Sequence, residues 1–431
     1  FQQFIIKFFL YYYIINMSYY SDESARTTYI DPKIYIPNVR ASWELDASEA
    51  AYLPDLRVCF LGGSSNGVAS YNRLLGAIAC CKNWRLMDGK TELCSQNVAQ
   101  FIQGFRNLNR PNAQNESVNS SLLCNSLGST ILGSTNKITR VAKILDTATL
   151  GGENSAYFHL SEVFPMLNSV THLPTNVFEN LRIEVEFDSS VSSNINDTTK
   201  TFNTLRPVLV ADVLEDPKIV DMMNKNFRAA SWLEREHDQF VIPQAAADGG
   251  LLDQGITQSV NVRLNGFNNK RVERLLMVKE LSNGALLEGT GVVNAFGKFA
   301  SQANYQQKFQ VRLNGRNILP RQGIVGNNER LAHVVDTFGE CTSFLGANQY
   351  GKKDNQNFMT DGDKFGGQAD YIALYLGDYV QDLHINYSRV GLQDATALRP
   401  TTQTQIAHVY CECRKQLVVN NDGSYNITYS Q

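Results

Sequence analysis

The sequence predicts an all-β fold of two tandem antiparallel sandwiches, with a few short helices confined to the connections. Three observations carry that prediction: recurring period-two alternation of apolar residues, turn-forming clusters between the alternating runs, and a capped helix near the middle of the chain. A half-buried strand turns successive side chains to opposite faces, so apolar residues at every second position mark its core side.

The alternating runs begin with Leu56, Val58 and Phe60. The clearest is 181–188, where Leu181, Ile183, Val185 and Phe187 alternate with Arg182, Glu184, Glu186 and Asp188. The pattern returns at Val260, Val262 and Leu264; at Phe309, Val311 and Leu313; at Leu383, Ile385 and Tyr387; and at Tyr425, Ile427 and Tyr429. Turn signals separate the runs: GGSSNG at 62–67, NGFNN at 265–269, NGRN at 314–317 and NNDG at 420–423. The last contains Asp422-Gly423, a strong hairpin signal between apolar runs. The pentapeptide VRLNG occurs at 262–266 and 311–315 and reads as two strands ending in similar Asn-Gly turns.

Two helices stand out. Val98, Phe101, Ile102, Phe105 and Leu108 follow helical spacing, with Ser95 in position to cap them. A second starts at Asp216-Pro217, where Asp caps and Pro suits the first helical position, and carries Ile219, Val220 and Met223 on its apolar face. It separates two β-rich halves of similar size and places a domain boundary near residue 218. The division is then an N-terminal arm at 17–40, a first domain at 41–217 and a second at 218–431. Long connections at 107–136, rich in Asn and Ser, and at 347–370, rich in Gly, Asn and Asp, join the strands. Loops of that length generally carry function or are disordered. Two sheets with long cross-connections are best met by a jelly roll, and eight strands in each half use the available length.

Residues 1–16, FQQFIIKFFLYYYIIN, stand apart from this pattern, and the first Met is Met17. The run is shorter than the roughly 20 apolar residues that span a bilayer and lacks the basic leader and small-residue cleavage site of a signal peptide. Its residues are those of AT-rich codons. The expectation is translation upstream of a start at Met17, or a disordered segment, outside the fold.

Lys and Arg total 39 against 42 Asp and Glu, a net charge of −3, which argues against a surface built to grip phosphates. From Met17 to Phe60 four cations face seven acids, so the leading segment is not a basic arm. Charged residues are 19% of the chain, below the roughly 25% of ordinary soluble domains, as expected where partners cover much of the surface. The richest cationic stretch, Lys270-Arg271-Val272-Glu273-Arg274, reads as a solvated strand end.

Catalytic and metal signatures are weak. Eight cysteines, at 59, 80, 81, 94, 124, 341, 411 and 413, contain no C-x-x-C pair and read as buried reduced thiols. The six histidines, at 159, 172, 237, 333, 384 and 408, are isolated from one another in sequence. Asp361, Asp363 and Gly366 suggest a calcium loop, but Phe365 occupies a ligand position and Ile372 stands where the closing Glu belongs. The best catalytic candidate is the pair Glu184 and Glu186, which share a strand face as the acid and nucleophile of a jelly-roll glycan hydrolase would. The competing reading is the wet face of a half-buried strand. The expected catalytic, cofactor and metal sets are therefore empty.

Several segments, taken in order, resemble double jelly-roll major capsid proteins, most closely those of Polinton-like viruses, virophages and adintoviruses. HLSEVFPMLNSVTHLP (159–174) with FENLRIEVEFD (178–188) resembles the first-domain core, and RPVLVADVLEDP (206–217) its last strand. WLEREHDQFVIP (232–243), VNVRLNGFNNKRVERLLMVKE (260–280), QVRLNGRNILPRQGIVGNNERL (310–331) and HVYCECRKQLVVNNDGSYNITY (408–429) resemble the second. The resemblance spans about residues 40–431. It implies a structural protein, not an enzyme: a homotrimer forming a pseudo-hexagonal capsomer that tiles an icosahedral shell around a double-stranded DNA genome. It implies neighbouring capsomers, penton and minor capsid proteins as partners, an internal membrane in some members, no sequence-specific nucleic acid contact, and a place in the virion after assembly inside the host cell. The long loops are then tower or inter-subunit candidates. A minor capsid or attachment protein is the alternative within this reading.

Overall fold

Alternation along the chain is realised as antiparallel pairing throughout. The computed structural model describes residues 25–49, 51–61, 63–64, 76–108, 156–188, 203–244, 255–281, 305–320, 323–324, 327–339, 371–391 and 404–430. Seven strands come first: β1 (Ala25–Ile30), β2 (Ile34–Ile36), β3 (Arg40–Glu44), β4 (Ala51–Tyr52), β5 (Arg57–Leu61), β6 (Gly63–Ser64) and β7 (Cys81–Asp88). After β8 (Thr91–Gln96) and helix α1 (Ala99–Leu108) come β9 (Ala156–His159), β10 (Leu173–Pro174), β11 (Leu181–Phe187), β12 (Asn203–Thr204) and β13 (Val208–Leu214). Helix α2 (Pro217–Asn226) leads to β14 (Ala229–Ile242), β15 (Thr257–Arg263), β16 (Lys270–Leu281), β17 (Tyr305–Leu313) and β18 (Arg316–Asn317). Helix α3 (Asn327–Phe338) precedes β19 (Ile372–Val380), β20 (Leu383–Gly391), β21 (Gln405–Val419) and β22 (Tyr425–Tyr429).

Strands β1–β13 form one pair of large sheets. One has the order β10-β4-β13-β5-β9 with β1 also on β13; the other runs β2-β3-β11-β7-β8. Strands β14–β22 form a second pair, β14-β21-β16-β19 with β22 on β21, and β15-β20-β17-β18. The strand number exceeds eight per half because two- and three-residue pairings such as β4 with β10, β2 with β3 and β6 with β12 add to the long strands. Residues 25–30 and 34–36, read from sequence as part of an arm, lie in strands, with β1 running against β13 from Ala25↔Leu214 to Ile30↔Leu209.

Each pair of sheets closes on its own apolar layer. In the first, Trp43, Trp84, Phe158, Phe164, Leu181 and Ile183 are buried, and Trp84 meets Phe164 edge-on at 6.4 Å. In the second, Phe240, Phe267, Leu275, Phe309, Ile385 and Val409 do the same. Burying one such side chain stabilises by about 1.5–3 kcal/mol. The first core continues into the second half through Trp232, Leu276, Val278, Tyr371 and Tyr410. The alternation of 181–187 is preserved, with Leu181, Ile183, Val185 and Phe187 buried and the residues between them wetter.

The turn predictions at 265–269, 314–317 and 420–423 hold, while most of the 62–67 cluster lies outside the described residues. Between β21 and β22 the Gly423 φ is +87°, and Ser424 N–H donates to Asp422 Oδ1 at 3.0 Å. Asn314 (φ +49°) and Gly315 (φ +82°) make the two-residue turn joining β17 to β18, with both residues left-handed as such hairpins require. The two VRLNG copies flank β20 in the same register: Val262 and Val311 both oppose Ile385, and Arg263 and Arg312 both oppose His384. The repeat therefore records two strands reading the same neighbour.

Helix α2 is capped as expected, with Asp216 Oδ1 accepting from Lys218 N–H at 2.8 Å and Pro217 at the first position. Helix α1 corrects the expectation. Ser95 belongs to β8 and does not cap; its N–H goes to Glu234 at 2.8 Å, and Val98, at φ +46°, precedes the helix instead. Helix α3 was not expected, although Val334, Val335 and Phe338 have helical spacing; Phe338 meets Phe105 of α1 at 4.9 Å. Among the described residues no helix is long and apolar enough to cross a membrane.

Candidate functional site

The carboxylate run of β11 lies on the outer face of its sheet, where the registers set charges against each other. Arg182 opposes Glu44, Glu186 opposes Arg40, and Glu184 opposes Arg85. Opposite charges placed directly across an antiparallel pair contribute about 0.2–1 kcal/mol each. Glu184 also forms an ion pair with Arg182, Nε to Oε1 at 2.8 Å, while Glu186 accepts from Asn83 Nδ2 at 2.5 Å and Asp188 from Gln100 Nε2 at 2.8 Å. An open groove of about 280 Å³ crosses this face, lined by Ile34, Val39, Arg40, Arg85, Glu184 and Glu186. Every carboxylate that sequence reading offered as catalytic is thus engaged in holding strands or α1. The basic stretch at 270–274 is engaged likewise: Lys270 pairs with Glu236 at 3.1 Å, Arg271 with Glu273 at 3.7 Å and Arg274 with Glu412 at 2.8 Å.

The histidines are not all isolated. His237 Nε2 and His408 Nδ1 are 3.0 Å apart across β14 and β21, an approach hidden by a separation of 171 positions in the sequence. Burial and the neighbouring His408 lower the His237 pKa to about 3. His172, hydrogen-bonded to Asn224 at 3.0 Å, is lowered to about 4 by burial. His159 contacts Asp55 at 2.8 Å and His384 contacts Asp382 at 3.0 Å. Among the described residues no group of three or more His, Cys, Asp or Glu is placed to hold a metal ion.

The densest polar chemistry lies between the two halves. Glu234 of β14, only 1% exposed, reaches onto β8: it accepts from Ser95 N–H at 2.8 Å and from Cys94 Sγ at 3.1 Å, and also from Trp232 Nε1 at 2.5 Å. Burial raises its pKa, an effect opposed by the Lys415 charge and these donors. Tyr410 Oη donates to the Val98 carbonyl at 2.8 Å and Tyr371 Oη to the Phe101 carbonyl at 2.9 Å. The Phe101 ring stacks on His408 at 4.8 Å, and Tyr425 Oη donates to Asp88 Oδ2 at 2.8 Å. Sequence reading did not single out Glu234. Its signal was parity, for it shares the strand face of buried Trp232.

Comparison with known proteins bears on this architecture. The sequence matches no protein-family model and no curated protein. The structure is similar to VP54 of PBCV-1, as fitted into a reconstruction of the virophage Sputnik, with a TM-score of 0.56 at 11% identity over 94% of this chain and 97% of that one. It is similar to the mavirus major capsid protein, with a TM-score of 0.55 at 8% identity over 94% of this chain and 90% of that one. The quasi-atomic model of the PBCV-1 capsid gives 0.53 at 11% identity, covering 94% and 97%. The fold is a double jelly roll.

Within the double jelly roll, the first roll carries β11 and its charge ladder, the second carries the VRLNG pair, and the Glu234 contacts join the two. Cys80, Cys81, Cys94, Cys411 and Cys413 are buried free thiols, with Cys80 and Cys81 sulfurs 3.6 Å apart. Burial raises the thiol pKa of Cys81, Cys94 and Cys411 well above the ordinary value. Cys124, Cys341, the Asp361–Gly366 stretch, nearly all of 107–136 and all of 347–370 lie outside the described residues.

Proposed function

We propose that this chain is a viral major capsid protein whose homotrimer forms a pseudo-hexagonal capsomer of an icosahedral, double-stranded DNA virus. The observation that carries this reading is the tandem arrangement itself: two jelly rolls matched end to end, over 94% of the chain, by the mavirus major capsid protein. In this reading the rolls divide at 41–217 and 218–431, three chains supply six rolls, and the protein resides in the virion shell. Capsomers, penton and minor capsid proteins contact its flanks, and the genome is packaged without sequence-specific contact. The near-neutral charge supports a shell that does not itself grip nucleic acid. The chain is not an enzyme in this reading, and Glu184 and Glu186 serve the sheet.

Ring-forming contacts are heterologous, so one patch must fit a different patch on the next copy. Interfaces of permanent assemblies commonly bury about 2,000 Å² or more. The test is native mass spectrometry with negative-stain imaging of the purified protein. The expected result is a trimer with a hexagonal outline; a stable monomer or dimer at high concentration, without such particles, would overturn the reading.

A further inference from the structure

Val98 is β-branched yet sits at φ +46°, where its Cβ crowds the backbone at a cost of about 1–3 kcal/mol. Both of its peptide groups are held. Its N–H donates to Asn83 Oδ1 at 2.9 Å, and Asn83 is in turn fixed by Glu186. Its carbonyl accepts from Phe101 N–H at 3.3 Å and from Tyr410 Oη of the second roll at 2.8 Å. Three and four positions earlier, Ser95 and Cys94 are bound by Glu234, again from the second roll. One strained stretch of the first roll, 94–98, is thus clasped at two points by the second.

We propose that residues 94–98 with Glu234 and Tyr410 form a latch between the rolls, a two-state element at the edge of the first core that opens while the sheets of both rolls stay paired. In the closed state the turn is strained and Glu234 is dry. Opening lets the Val98 backbone relax and returns the Glu234 carboxylate to water, which offsets part of the loss of the hydrogen bonds. Such a joint opens at lower free energy than the sheets on either side of it. The latch belongs to the single chain and does not depend on how that chain assembles.

Cys94 reports the state of the latch. It is fully buried beneath Glu234 on the side of the first core that faces the second roll, a core that also holds Cys80 and Cys81, whereas Cys411 and Cys413 lie inside the second core. The experiment is N-ethylmaleimide labelling of the full-length folded protein, with the modification rate of each cysteine followed by peptide mass spectrometry. Cys94 is expected to label at least about tenfold faster than Cys411 and Cys413, as subglobal opening requires. Tyr410→Phe and Glu234→Gln should each speed Cys94 by about tenfold more, the effect of losing roughly 1.4 kcal/mol from the closed state, without moving Cys411 or Cys413. Val98→Gly, which adopts positive φ without strain, should slow Cys94 and do so in the Tyr410→Phe background too. Labelling of Cys94 in step with Cys411 and Cys413 in every variant would overturn the latch. Unchanged or faster Cys94 labelling in Val98→Gly would overturn the stored strain, and this arm decides even if a joint variant fails to fold.

Discussion

A carboxylate as dry as Glu234 is tolerated because three donors and the Lys415 charge surround it. Its removal orphans those donors, each at about 1–3 kcal/mol when buried. Glu234→Ala should therefore cost about 3 kcal/mol or more in urea unfolding, whereas Glu184→Ala, on the wet face of β11, should cost under about 1 kcal/mol. Histidines set the acid limit. His172 and His237 have folded pKa values near 4 and 3, below the ordinary 6.5, so protonation favours the unfolded chain. Their contribution is complete above about pH 6.5 and is lost as pH falls toward 4, at about 1.4 kcal/mol per pH unit for each. Unfolding midpoints between pH 7 and 4.5 should fall accordingly, and the slope should flatten in His172→Asn. The raised Glu234 carboxyl acts in the opposite direction.

Glycines show which parts of an element tolerate change. A Cβ added at Gly423 (φ +87°) would meet no atom within 4 Å, so Gly423→Ala should cost only the backbone strain, about 1 kcal/mol. Gly323 (φ +68°) packs against β17, where a Cβ would lie 2.2 Å from the Phe309 carbonyl oxygen. Gly323→Ala must displace backbone and should cost clearly more, measured side by side by thermal unfolding. In β11, Ile183→Ala would open a cavity beside its cross-strand neighbours Trp43 and Leu86 and cost about 2–5 kcal/mol. Strands and hairpins were legible because their signals are local: parity in 181–187, Asp422-Gly423 at a turn, Asp216-Pro217 at a helix start. The start of α1 was not, because Ser95 has a cap's chemistry but its N–H is claimed by a residue 139 positions away.

Across the whole molecule, both halves bury their own core, yet the first core runs into the second half through Trp232, Tyr371 and Tyr410. The rolls are thereby joined by a seam that is apolar at Trp232 and Tyr371 and polar at Glu234. If the contacts of the proposed trimer are mainly apolar and neutral, in keeping with the 19% charged content, that trimer should persist in about 1 M salt, where screening shortens to ~3 Å. Sedimentation at low and high salt checks this, and dissociation at high salt would point to ion pairs instead.

By itself the sequence determined the all-β class, the order of the main strands, the hairpin at 420–423 and the capped helix at 216–217. Each of these depends on residues a few positions apart. Only the tertiary structure decided that His237 meets His408, that the VRLNG copies share one neighbour, and that Glu234 reaches Ser95. The physical reason is that sheet registers, and the packing of one roll on the other, bring together residues far apart in the chain, and no local pattern encodes which strands will lie side by side.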